Sequence, residues 1–149
     1  MARAESAIDR FLVRETVETY CDSLTRRDWD LLASVYAEDA VWHELPPVEL
    51  KLQGRDQIVA GVSSYVANIR TLIMMPHSCI VKIDGDTATA RTLIHEHGVA
   101  ITGEPVSMYG LYQDRLARIG GRWRFTAREF HPIDWMLPGD FKEQLLDES

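Results

Sequence analysis

His77, His95 and His97 are the side chains in this sequence best suited by type to moving protons near neutral pH. His95 and His97 stand at i and i+2, so on an extended strand they share one face. A carboxylate, Glu44, stands beside His43 and just ahead of Pro46-Pro47; Tyr20 and Asp22 lie two apart near the N-terminus. An elimination, or an enolisation next to a carbonyl, needs such a set. One group takes the proton and a donor stabilises the oxyanion or leaving group. The same types have plainer uses. Glu44 suits a solvated strand end, Asp22 an ion pair with a nearby arginine, and Tyr20 a core position with its hydroxyl satisfied. A His-x-His pair with His77 or His43 as third ligand also invites a metal reading. No carboxylate follows at a supporting spacing, so no metal is expected.

Such groups need a scaffold, and the chain has room for one. Its 149 residues, 46% hydrophobic and 26% charged, suit one soluble globular domain, 1–149. A formal charge of −7 leaves no electrostatic footprint for nucleic acid or an anionic bilayer. The apolar runs Thr71–Met75 and Cys79–Val81 are too short to span a membrane. The opening residues turn acidic at once and lack a secretory pattern. Cys21 and Cys79 are in no metal or redox spacing and read as reduced, in a cytoplasmic protein.

The elements follow from the change of period. From about Ser6 to Leu24 there is no Gly or Pro, and Val13, Val17, Tyr20 and Leu24 recur at helical spacing. Ile8, Phe11 and Leu12 fall on the other side of the wheel, which predicts a kink, a break or apolar contact on two sides. Asp28 is placed to cap a second helix running through Tyr36. Val41–Glu44 reads as a short strand. A third helix after Gly54 puts Ile58, Val62, Tyr65 and Ile69 on one face. From Pro76 the period is two. Strands are predicted over His77–Ile83, Thr87–Val99, Val106–Ile119 and Arg122–Phe130, with hairpins at Asp84-Gly85-Asp86 and Gly120-Gly121. Helices first and strands afterwards mean α+β with an antiparallel sheet, edged by a strand of mixed pairing. Three helices on one face of a curved sheet make a cone, with a pocket between the layers.

The ordered set Tyr20, Asp28-Trp29-Asp30, Tyr36-Ala37-Glu38-Asp39-Ala40-Val41-Trp42, Gly54-Arg55-Asp56-Gln57-Ile58, His77, Asp84-Gly85-Asp86 and Gly121-Arg122-Trp123-Arg124-Phe125 resembles a known pattern. It is that of the SnoaL-like branch of the nuclear-transport-factor-two-like superfamily, and it covers the chain from about Ile8 to Trp135. The resemblance implies the cystatin-like cone, whose members do different chemistry or none. Its relatives include scytalone dehydratase, ketosteroid isomerase, polyketide cyclases and the beta subunits of ring-hydroxylating dioxygenases. His77 and His97 are similar to the two pocket histidines of scytalone dehydratase, and His131–Trp135 to the segment running toward its pocket. Thr25 stands where that group keeps its aspartate. Asp22 and Glu44 are the available replacements, and Glu44 is favoured. Tyr20 and Glu44 are similar in place to the donor and base of ketosteroid isomerase, with Tyr112 near its second oxyanion donor.

The resemblance therefore implies a cofactor-free lyase or isomerase, acting on a small aromatic, polyketide-like or steroid-like carbonyl compound. His77 and His97 would be its acid/base pair, assisted by Glu44, Tyr20 and Asp22. Trp42, Tyr65, Met75, Met108, Tyr112 and Trp135 would line an apolar pocket. The alternative is a non-catalytic binding or oligomer-forming module like the dioxygenase beta subunits, for which Thr25 speaks. Hydrolysis of an epoxide is a third reading. A homodimer or homotrimer is expected in each case.

Overall fold

A computed structural model describes residues 2–46 and 48–136 of the chain, with side chains from Ser6 onward. Three helices come first: α1 (Ala2–Arg26), α2 (Trp29–Ser34) and α3 (Arg55–Ala67). Helix α1 is one unbroken rod. Val13, Val17, Tyr20, Cys21 and Leu24 are buried along its inner stripe, while Ile8 and Phe11 stay in solvent. The expected kink is absent because those two residues are left exposed rather than packed. The Asp28 carboxylate accepts the Leu31 amide at 3.0 Å, capping α2 as expected.

The strands are β1 (Tyr36–Glu44), β2 (Lys51–Gln53), β3 (Ile69–Asp84), β4 (Thr87–Ala100), β5 (Pro105–Ile119) and β6 (Arg122–Met136). They form one sheet in the order β2-β1-β6-β5-β4-β3. Only the β1–β6 pairing is parallel, so the sheet is antiparallel with a mixed edge. Gly85, at φ 57, makes the tight β3–β4 hairpin without the steric cost of a Cβ.

Boundaries differ from expectation, among them the end of β6, which runs to Met136 rather than Phe130. Tyr36 opens β1 rather than closing α2, and Ile69 opens β3 rather than ending α3. Both are buried, so each keeps its core place with a different backbone. The layers are tied together by Arg27, at φ 58, whose guanidinium donates to the carbonyls of Val66, Ile69 and Arg70. This joins the end of α1 to the end of α3 and the start of β3. Cys21 and Cys79 are both free thiols. Among the described residues no helix is long and apolar enough to cross a membrane.

Candidate active site

Strand alternation decides which side chains enter the cone. On β4, Ala88, Ala90, Thr92, Ile94 and Glu96 are buried toward the helices, and the odd positions face outward. On β5 the inward phase is Val106, Met108, Gly110, Tyr112, Asp114 and Leu116. Helix α3 brings Val62, Gly61 and Tyr65 across from them. Between the layers lies a cavity of about 120 Å³. Tyr20, Trp42, Tyr65, Met108, Tyr112 and Phe130 contribute to its wall, as do the carboxyls of Glu44 and Glu96. Phe130 reaches this position across Gly110, where a Cβ would stand 2.0 Å from the ring.

The two carboxyls are the unusual feature of this wall. The Tyr65 hydroxyl donates to Glu96 Oε1 at 2.6 Å. Burial pushes Glu96 up to about 7, with the Tyr65 hydrogen bond working in the opposite direction. Burial also pushes Glu44 up to about 7, and the neighbouring Glu96 charge adds to it. Both carboxyls are thus raised into the neutral range, and the charge of one opposes ionisation of the other. Near neutral pH the pair can hold and give up a proton within one apolar space.

A second network supplies hydrogen-bond donors. Trp42 Nε1 donates to Tyr112 Oη at 3.2 Å, and the Tyr20 and Tyr112 hydroxyls are 3.0 Å apart. Their mutual bond uses one of the two hydroxyl protons and leaves the other for a ligand oxygen. Burial raises the pKa of both phenols, so each stays protonated as a donor. Behind them lies a buried ion pair. Arg128 Nε and Nη2 donate to the Asp114 carboxylate at 2.8 and 3.1 Å. The guanidinium carbon lies 4.0, 3.8 and 4.0 Å from the ring centroids of Tyr20, Tyr112 and Phe125. Burial is the largest single influence and opposes the Arg128 charge; the Asp114 carboxylate together with the Tyr36, Tyr112 and Tyr20 hydroxyls holds the pKa well above the usual arginine value.

Of the residues expected at a site, Tyr20, Glu44, Trp42, Tyr65, Met108 and Tyr112 meet at this cavity. Five others do not. His97 lies on the outward phase of β4, exposed, and His77 is exposed where the β3–β4 register shifts between Pro76 and Cys79. Placing these two histidines in the pocket is therefore corrected by strand phase. They lie outside with His95, whose ring is 6.2 Å from that of His77, 5.8 Å from that of His97, and stacked on Tyr109 at 4.0 Å. Among the described residues no group of three His, Cys, Asp or Glu is arranged to hold a metal. Asp22 is exposed and pairs with Arg26 at 3.0 Å, and Met75 gives its place to Met74. Trp135 packs half-buried against the core without lining the cavity. Thr25 accepts the Met74 amide at 3.0 Å.

Glu96 is the residue that sequence reasoning passed over. Its signal lies in the alternation of β4, where Ala88, Ala90, Thr92 and Ile94 set an apolar or small phase and Glu96 continues it. Attention to the histidines on either side hid a carboxyl on the buried phase.

Comparison with known proteins agrees with this architecture. The sequence profile described as a SnoaL-like domain matches residues 5–129. No curated protein matches the chain. Among solved structures it is similar to LinA, with 14% identity and a TM-score of 0.83 over 93% of this chain and 95% of that one. A provisionally assigned scytalone dehydratase from Novosphingobium aromaticivorans superposes with a TM-score of 0.82 at 17% identity, covering 91% of each chain. Hexachlorocyclohexane dehydrochlorinase LinA-type3 from Novosphingobium barchaimii gives 0.78 at 15%, over 89% of this chain and 92% of that one. At these identities the likeness is one of fold.

Proposed function

We propose, for a chain that belongs to the SnoaL-like domain family, that it is a cofactor-free lyase or isomerase acting on a small carbonyl compound. The observation that carries this reading is the pair of carboxyls in one apolar cavity, both pushed up to about 7. Glu96 is the base that takes a proton from the carbon next to the carbonyl. Glu44 is the acid that returns a proton, or protonates the leaving group. The free hydroxyl proton of the Tyr20–Tyr112 pair meets the carbonyl oxygen as it becomes an oxyanion. Trp42, donating to the Tyr112 hydroxyl, holds that pair in place. Within the aromatic, polyketide-like and steroid-like classes, a cavity of about 120 Å³ favours a single ring. For scale, an engineered cavity of roughly 150 Å³ holds benzene.

Proton exchange tests this without knowledge of the final product. Cyclohexenone and acetophenone are incubated with the protein in heavy water, and deuterium uptake beside the carbonyl is followed by NMR. Exchange above buffer is expected, falling about 100-fold or more in Glu96→Gln and Glu44→Gln. The glutamate carboxyl carbons are titrated in parallel. Absence of protein-dependent exchange, with both carboxyls titrating in the ordinary range, ends the proposal and leaves the binding-module alternative. A homo-oligomer belongs to the same reading. Its support is the outward face of the sheet, where Ile73, Ile80 and Tyr109 reach solvent. Light scattering is expected to give a dimer or trimer, and a monomer at micromolar concentration would remove that part.

A further inference from the structure

Among the described residues lining the cavity, the only side chains that can carry formal charge near neutral pH are acidic. Glu44 and Glu96 are there, and no Lys, Arg or His lines the wall. The nearest buried cation, Arg128, stands behind the Tyr20 and Tyr112 rings and is already held by Asp114. A carboxylate taken out of water ordinarily keeps a cation beside it, because its desolvation is otherwise uncompensated. Here the influences on Glu44 are burial and Glu96, and those on Glu96 are burial and the Tyr65 hydroxyl. Among the described residues, neither carboxyl has a cationic partner acting on it. The rest of the wall includes five aromatic rings, those of Tyr20, Trp42, Tyr65, Tyr112 and Phe130. Aromatic faces attract cations and repel anions.

We infer that the cavity is built for a small organic cation, a protonated amine of one ring or fewer, whose ammonium is held by the Glu44 and Glu96 carboxyls against aromatic faces. This rests on the reading of those two carboxyls as the working groups of the site and names the class of compound they take. An anionic ligand would be desolvated next to like charge, and a neutral carbonyl compound would enter without a charge contact, so a cationic one is held more tightly. The ammonium also changes the state of the pair. A positive charge beside both carboxyls favours their ionised forms. On binding, the pair releases its proton to solvent; one carboxylate then holds the ammonium, and the other takes the proton from the substrate carbon and, once protonated, is the acid that returns it. The cationic substrate thus charges the base that acts on it.

The test uses three ligands of nearly one shape: cyclopentylammonium, cyclopentanol and cyclopentanecarboxylate. Each is titrated calorimetrically into the whole protein near neutral pH, in two buffers of different ionisation heat. The ammonium is expected to bind about tenfold or more tighter than the alcohol, as one desolvated charge contact would give. Its binding heat should depend on the buffer, reporting proton release that the alcohol does not cause, and the carboxylate should not bind. Glu96→Gln should remove the preference for the ammonium while leaving alcohol binding in place. The wild-type ligand order decides the matter even if that variant does not fold. Equal binding of alcohol and ammonium, binding of the carboxylate, or no ammonium binding up to millimolar concentration overturns the inference. The carboxyl titration separates the two levels. Midpoints in the ordinary range sink the acid/base reading itself, whereas raised midpoints without ammonium preference sink only the cation.

Discussion

The hydroxyl of Tyr65 is the hydrogen-bond donor held against the Glu96 carboxyl. It donates to Glu96 at 2.6 Å and so favours the ionised form of that side chain over its neighbour. Replacing Tyr65 by Phe removes the donor while keeping the ring in the wall. The Glu96 midpoint is then expected to rise beyond about 7, and the acid limb of the proton-exchange profile to move to higher pH with it. Carbon NMR of the labelled glutamates reads the first effect directly. A Glu96 midpoint unchanged in Tyr65→Phe would mean that the hydrogen bond does not set the order of ionisation. This residue was legible in sequence only as an apolar wall member at helical spacing. Its partner was hidden, because recognising Glu96 requires knowing which phase of β4 points inward.

At the scale of elements, β4, β5 and the β5–β6 hairpin were legible because their alternation is sustained and their hairpins carry glycine, whereas the first half of β3, Ile69–Pro76, was not read as strand. The starts of β4 and β5 and the turn at Gly120-Gly121 match the expected positions to within a residue. Helix ends were not legible in the same way. Tyr36 and Ile69 each continue the apolar spacing of the helix before them, and no Gly or Pro marks the stop. Their burial is satisfied equally by helix or strand, so spacing alone does not choose. The three-residue strand β2 has too short a pattern to stand out. Element contact also shapes the cavity: Phe130 of β6 lies across Gly110 of β5, where an added Cβ would come within 2.0 Å of the ring. Gly110→Ala forces the ring to move, at a cost of about 1–3 kcal/mol for overpacking. Chemical denaturation measures that cost. Ligand affinity should fall as well, since the displaced ring is part of the wall; unchanged stability would show that the ring has room to yield.

For the molecule as a whole, two buried carboxyls with raised pKa make stability depend on pH in an uncommon direction. Their folded-state midpoints lie near 7, against an ordinary value of 4.5. Between those values the unfolded chain has released protons that the folded chain keeps. Stability therefore falls as pH rises through this window, and the loss is complete above the folded-state midpoints. A shift of this size corresponds to roughly 3 kcal/mol for a single carboxyl. Glu96→Gln is expected to flatten the slope and to gain stability over the wild type at about pH 8, with less gain at about pH 5. Parallel denaturation curves with identical slopes would sink this account. The same cavity has its weakest boundary at the edge of the sheet. Leu52 of β2 lies over Gly61 of α3, Leu50 also lines the cavity, and within the sheet β2 pairs only with β1, through three residue pairs. Such an edge opens locally at far lower cost than the sheet behind it. Passage in and out of the cone is expected to follow the fraying of this short strand, read as faster amide exchange at Lys51–Gln53 than in β5.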